Sequence, residues 1–257
     1  MKKRLYIAAR LAISCLLCSA VTPAQIANTG PAALARQMPT IYAPYLANIS
    51  RVRVLQKRGK LNSSRGSTSS RQGGQKPTTQ APGPVSTASD TVFHSSQPPF
   101  VPQQLAARLG KTSQERQYIE SVLTRCLTFY TDTAKQKNVP LNDVALALNY
   151  FISTNYYVYS LGRGPTPDQM SATRDAIRAS MVQDQTFRQM SDRQKQEAYE
   201  TLIVLAGFVD MGYGTSKSNG DAGAAEQFRE MAKHNLETVL GVPIDRIHFT
   251  NEGLELN

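Results

Sequence analysis

The hydrophobic pattern divides the chain near residue 100. Beyond that point apolar positions recur at helical spacing in one segment after another; before it they are sparse and irregular. The most apolar segment is 142–162, NDVALALNYFISTNYYVYSLG. Leu141, Ala145, Leu148, Ile152, Tyr156 and Tyr159 follow helical spacing along one face, and Leu146, Tyr150 and Tyr157 occupy the opposite one. Polar residues are confined to two strips: Asn142, Asn149, Ser153 and Ser160 on one flank, Asp143 and Thr154 on the other. A helix apolar nearly all round is packed among other helices, so this segment is expected to be the central helix of a bundle. Tyr, Phe, Ile and Val also favour strands, but about twenty residues without a turn signal exceed a typical strand. Asn142 is the expected N-cap and Gly162 the left-handed stop. Asn155 falls inside the apolar stripe, where a buried amide bonded to backbone is the expected state and a ligand-binding amide the alternative.

Segment 100–109, FVPQQLAARL, begins the ordered part. Residues 111–137 predict the first long helix, with Thr112 and Glu115 at capping-box spacing. Thr166, Pro167 and Gln169 open another, with Met170, Thr173, Ile177 and Met181 on its buried face. Residues 185–190 read as a turn or short helix. Ser191 and Gln194 start a helix to about Tyr213 whose face is Ala198, Tyr199, Leu202, Leu205, Ala206, Val209 and Tyr213. Gly212, Gly214 and residues 215–220 read as a loop. The last long helix spans 221–240, with Ala224, Ala225, Phe228, Met231, Ala232 and Val239 inward and Asn235 among them. Residues 244–249 predict a turn or short strand, followed by a fraying end. The expected fold is therefore all-α, a compact bundle of five or six helices over 100–257, monomeric. Arg174 and Asp210 border apolar stripes; both are expected to point inward and to pair with each other or with backbone, because an unpaired buried charge is too costly. Asn155 and Asn235 are expected to be buried and hydrogen-bonded.

Residues 1–27 have the form of a secretory signal peptide. Lys2, Lys3, Arg4 and Arg10 supply the positive region, and the apolar run 11–21 has the length of its hydrophobic core. That run is short of the roughly twenty residues that cross a bilayer. Cleavage is expected after Ala20, Ala24 or Ala27, leaving an exported protein, periplasmic or secreted, with no transmembrane span. A lipoprotein anchored through Cys15 or Cys18 is the alternative, although Ile13-Ser14 and Leu16-Leu17 fit a lipobox poorly. Loss of the segment leaves Cys126 as the single cysteine, so no intrachain disulfide can form. Its spacing with Tyr118, Ile119, Val122 and Phe129 marks Cys126 as a small buried hydrophobe rather than a nucleophile. Residues 28–99 are expected to be a disordered, basic, Ser/Gly/Gln/Pro-rich linker, since such composition buries too little apolar surface to offset ordering entropy. A modest apolar patch there (Ile41, Tyr42, Tyr45, Leu46) and a short alternating piece, Arg51-Val52-Arg53-Val54, are expected either to dock on the domain or to form an edge strand.

Charge sharpens this division. The 257-residue chain carries a net +10. Residues 1–112 hold 15 Lys/Arg and one acid, Asp90, whereas residues 113–257 hold 14 Lys/Arg and 18 Asp/Glu. The basicity therefore lies outside the folded part, and a nucleic-acid-binding fold would carry its basic patch on itself. Residues 51–76 hold eight Lys/Arg and no acid. They suit either attachment to an anionic surface or a self-repelling tether; without aromatic residues between the charges they do not suggest stacking on nucleic acid.

Candidate chemistry adds little. His94, His234 and His248 stand apart from metal-ligand spacing. No nucleophile elbow, P-loop or dinucleotide fingerprint occurs. The carboxylate pairs Glu197/Glu200 and Glu226/Glu230 fall on faces expected to be solvated, while a helical glycosidase would need two carboxylates facing one cleft. No catalytic, cofactor-binding or metal-binding residue is assigned. The leading function class is a non-catalytic domain of the cell envelope that binds a partner or ligand; the alternatives are a small hydrolase of wall polymer and a surface-attached structural module.

The aromatic helix after Leu141-Asn142-Asp143, the start Thr166-Pro167-x-Gln169 followed by Arg174, the apolar run 202–208 and the closing Phe249-Thr250-x-x-Gly253 resemble a group of exported bacterial proteins, a domain of unknown function (DUF6683). The resemblance covers about residues 100–254 and implies export and a helical domain. It implies no activity.

Overall fold

The computed structural model describes residues 31–50, 88–95 and 97–257. The expected signal peptide and the basic stretch 51–76 lie outside the described residues. Eight α-helices are described: α1 Pro31–Ser50, α2 Val101–Leu109, α3 Ser113–Gln136, α4 Val144–Tyr159, α5 Pro167–Gln183, α6 Gln185–Arg188, α7 Asp192–Ser218 and α8 Ala222–Leu240. Short 3-10 turns occupy Ala88–Thr91 and Ile244–Arg246, and two strands, β1 Ile247–Thr250 and β2 Gly253–Leu256, close the chain. The all-α expectation holds, with more helices than five or six.

The helix starts follow the sequence closely. Thr112, Thr166 and Ser191 each cap with the reciprocal bond from Glu115, Gln169 and Gln194, because side-chain oxygens there satisfy N–H groups that have no partner within the helix. At α4 the cap is Asp143 rather than Asn142. Asn142 takes φ 60° instead, a conformation Asn tolerates. The far end of α4 also differs. Leu161, not Gly162, is the first left-handed residue, at φ 59°. Its N–H bonds Val158 O at 3.2 Å while the Gly162 N–H reaches Tyr157 O at 2.8 Å, the Schellman pattern with leucine where glycine is usual.

Two helices share the centre. α4 packs on α5, α7 and α8, and Asn149 and Ser153 of its polar strip are buried along with Ala145, Leu148 and Ile152, while Leu146, Tyr150 and Tyr157 of the opposite face are half-buried. α7 is deeper still: every residue from 198 to 209 is buried. It also runs on to Ser218, through the expected loop. The reason lies at Gly212, where an added Cβ would sit 2.1 Å from Phe228 Cζ. The glycine is there to admit the Phe228 ring from α8, with Tyr213 and Ser216 buried beside it. Gly207 plays the same part toward α3, where a Cβ would meet Cys126 Cβ at 2.8 Å.

The expected linker 28–99 differs over Pro31–Ser50, which forms α1. Of the two options for the apolar patch there, docking is realised, as a helix and not a strand. α1 lies along α8 with α2 and α7 beside it, and Leu34, Ala35, Met38, Tyr42 and Leu46 join the common core. Pro39 and Pro44 stand inside this helix. Each lacks an N–H and costs about 3 kcal/mol of helix propensity, which hid the helix from pattern reading. Burial of Leu34, Met38, Tyr42 and Leu46, at roughly 1.5–3 kcal/mol each, offsets this. α1 is helical because it is seated.

The chain end does not fray. β1 and β2 pair antiparallel with Ile247 opposite Leu256 and Thr250 opposite Gly253. The hairpin lies on α5, with Gly253 at φ 111°, where an added Cβ would meet Thr173 N at 3.0 Å, and Phe249 meets Tyr156 edge to face at 4.8 Å.

Leu161 is 59% exposed in a conformation that disfavours a side chain. Leu161→Gly is therefore expected to raise stability by about 1 kcal/mol, read from urea unfolding; a loss of stability would show that the leucine side chain supports the turn.

Candidate functional site

Three buried polar centres and one open groove hold the side chains that could carry chemistry. The first centre joins α4, α8 and α1. Asn155 and Asn235 are both 0% exposed. Asn155 Nδ2 donates to Phe151 O at 2.8 Å, the carbonyl one turn earlier. Asn235 Nδ2 donates to Asn155 Oδ1 at 2.8 Å, and the Tyr42 hydroxyl donates to Asn235 Oδ1. Burial pushes the Tyr42 phenol well above its usual value, so it remains a donor. The structure thus gives Asn155 the bonded-backbone state and not that of a ligand amide. The bond partner from α1 was invisible in the pattern because Tyr42 lies 193 residues from Asn235.

The second centre is Asp143. Its Oδ1 accepts from Ala145 N at 2.9 Å, Leu146 N at 3.3 Å and Thr91 Oγ1 at 2.7 Å. Its Oδ2 accepts from Arg178 Nη2 at 2.7 Å. Phe93 N adds a bond to Asn142 O at 3.0 Å. A carboxylate at a helix start is favoured by the free N–H groups and the helix dipole, and the arginine completes its neutralisation. This is where the expectation for Arg174 needs correction. Arg174 turns to Asp175 at 2.9 Å and to the Ser171 hydroxyl at 3.0 Å, and its side chain is 34% exposed. The inward ion pair belongs to Arg178, one turn further along α5. Both arginines sit at the stripe's edge; which one meets an acid depends on where α4 begins in space, not on the α5 sequence.

The third centre is Glu200, 2% exposed, where the sequence placed it on a solvated face. Its Oε2 accepts from Phe100 N at 2.9 Å and Val101 N at 3.0 Å; its Oε1 accepts from Gln196 Nε2 at 2.7 Å. α7 thus supplies the cap that α2 lacks, since Phe100 offers no side-chain acceptor. An uncapped helix start was the available sequence signal.

The groove runs along the seam of α1 and α8, about 320 Å³ in volume, between Ala35, Arg36 and Pro39 on one wall and Gly223, Glu226, Glu230 and His234 on the other. Glu226 is held by Arg229 at 2.7 Å. Gln227 spans the seam: oriented to satisfy both amide atoms, it donates to Ala32 O at 3.1 Å and accepts from Arg36 Nη2 at 2.8 Å. The pair Glu226/Glu230 is solvated as expected and lies on one wall. His234 is exposed, and His94 faces Asp192 at 3.9 Å from a side chain 97% exposed. Among the described residues no group of three or more His, Cys, Asp or Glu could hold a metal ion, and no helix is long and apolar enough to cross a membrane.

Cys126 is buried against Met211 at 3.7 Å. Burial pushes its thiol up to about 12, with Asp210 adding to the shift. In the native protein at pH 8 it is expected to resist a thiol reagent that reacts with it fully in urea; reaction in the native state would show that α3 and α7 part readily. Arg178→Ala is expected to cost about 3–5 kcal/mol, because it strands a buried carboxylate. The double variant Asp143→Asn/Arg178→Met is expected to cost less than that single change. Urea unfolding decides this, and an equal or larger loss would mean that the pair is uncoupled.

Neither the curated proteins nor the solved structures contain a match to this chain. One family model does match, over residues 3–257, and so includes α1 as well as the bundle. By that match the chain belongs to the family described as "Family of unknown function (DUF6683)".

Proposed function

We propose that this protein is an exported, non-catalytic binding domain of the cell envelope, whose α1–α8 face receives a partner protein. Export rests on the form of residues 1–27. The observation that carries the binding reading is the division of labour among polar groups. Asp143, Arg178, Glu200, Asn155 and Asn235 are bound to one another or to backbone inside the bundle, whereas Arg36, Glu230 and His234 line an open groove. Groups bonded inside a bundle hold a fold together; an open groove with apolar floor and charged rim suits a protein segment.

The test is retention of an envelope protein by the full chain, by a chain lacking residues 51–76, and by Glu230→Lys. α1 must be kept throughout, because it is part of the core. A protein that stays at high salt on the full chain and on the deletion, and is lost at least tenfold with Glu230→Lys, supports the reading. Retention that needs residues 51–76 and vanishes with salt overturns it in favour of a surface-attached module. Release of sugar or peptide from wall polymer, abolished by Glu230→Gln, overturns it in favour of a hydrolase.

A further inference from the structure

We infer that the outer edge of β2 is a docking site for an extended segment of a partner protein, one that carries a Lys or Arg between two apolar residues. The site shares no residue with the α1–α8 groove. It follows from where the main-chain bonds of the hairpin go. Ile247 faces Leu256 and Phe249 faces Leu254, and the Asn257 N–H donates to Arg246 O at 3.0 Å. In an antiparallel ladder, pairs that exchange bonds alternate with pairs that do not. The bond at Arg246 therefore makes 248/255 and 250/253 the bonded pairs. Ile247, Phe249, Leu254 and Leu256 then direct their N–H and C=O groups away from the hairpin. On β1 this edge is partly used: the Ile247 N–H reaches Ile244 O, and Phe249 O accepts from Gln169 Nε2 at 3.3 Å. On β2 it is not. The outward groups of Leu254 and Leu256 have no bond among the described residues, and both residues are half-buried rather than buried. N–H and C=O groups spaced two residues apart along an open edge are what an added strand pairs with.

Side chains specify the strand. Leu254 and Leu256 pack toward the bundle, so apolar residues opposite them would cover what these leucines still expose. Glu255 lies between them on the solvent face and is exposed. Its carboxylate takes the Thr250 hydroxyl at 3.2 Å and meets no cation among the described residues. Toward an added strand, Glu255 falls in a pair that exchanges no bonds, where facing side chains come closest. An opposite charge there stabilises the pairing and a like charge opposes it. This argues against a second copy of the chain: antiparallel pairing of two β2 strands through both leucines of each sets Glu255 against Glu255. A strand reading apolar, cation, apolar meets every demand of the edge.

The test titrates the full chain with the acetylated and amidated pentapeptide Thr-Val-Lys-Val-Thr and follows the Leu254 and Leu256 amide resonances. Saturable shifts of both are expected. Glu in place of Lys in the peptide should weaken binding about fivefold, and Glu255→Lys in the protein should reverse that preference. Methylating both valine nitrogens of the peptide removes the donors that face Leu254 and Leu256, and should abolish the shifts. A preference unchanged by Glu255→Lys overturns the inference, as does equal binding of the methylated peptide or the absence of shifts at both leucines. Two further outcomes overturn it by giving the edge another occupant. Shifts of the same amides on diluting the free chain would assign it to a second copy. Peptide binding that appears only with Arg53→Ser would assign it to the chain's own Val52-Arg53-Val54, which carries the same pattern.

Discussion

Asp143 is a carboxylate without contact to water, and its four hydrogen-bond donors come from three separate parts of the chain. Burying such a charge costs several kcal/mol unless partners surround it. That requirement fixes where α4 begins, brings the strip around Thr91 to Phe93 against it, and sets the position of α5 through Arg178. α5 in turn carries the C-terminal hairpin. Glu200 does for the N-terminus of α2 what Asp143 does for that of α4. The bundle is therefore located by two acids at two helix starts, and the apolar core fills in between them.

The sequence was most legible where structure is local. Capping boxes at Thr112, Thr166 and Ser191 involve residues three apart, and the 3.6-residue period reports burial directly. Asn155 and Asn235 could be read as buried because the residues around them were apolar. What escaped was set by distant parts of the chain. Glu200 looks like a surface residue until α2 arrives 100 residues away in sequence. Gly212 looks like a loop residue until Phe228 needs the space. Arg174 and Arg178 occupy equivalent edges of one stripe, and only the placement of Asp143 selects between them. The C-terminal hairpin was short enough to pass for a frayed end, yet α5 supplies the surface that two strands alone lack.

α1 escaped for a different reason. Its prolines contradict a helix locally, and its composition neighbours a stretch rich in Ser, Gly and Lys/Arg. Local preference and tertiary demand disagree there, and burial against α8 decides the outcome. Such conflict is usually found where a protein binds something; in this chain the bound element is its own N-terminal helix.

The position of α1 also sets an order of events. It is made first, but the residue that Tyr42 must meet is made 193 residues later. At synthesis rates of about 5–20 residues per second, Leu34, Met38, Tyr42 and Leu46 wait on the order of ten seconds or more for α8 to emerge. Until then an apolar stripe has no place to go, and contacts of such long sequence separation are slow to close once they can. α8 is thus the element that lets α1 fold, and a chain interrupted before residue 235 would leave the stripe open to holding factors and proteases.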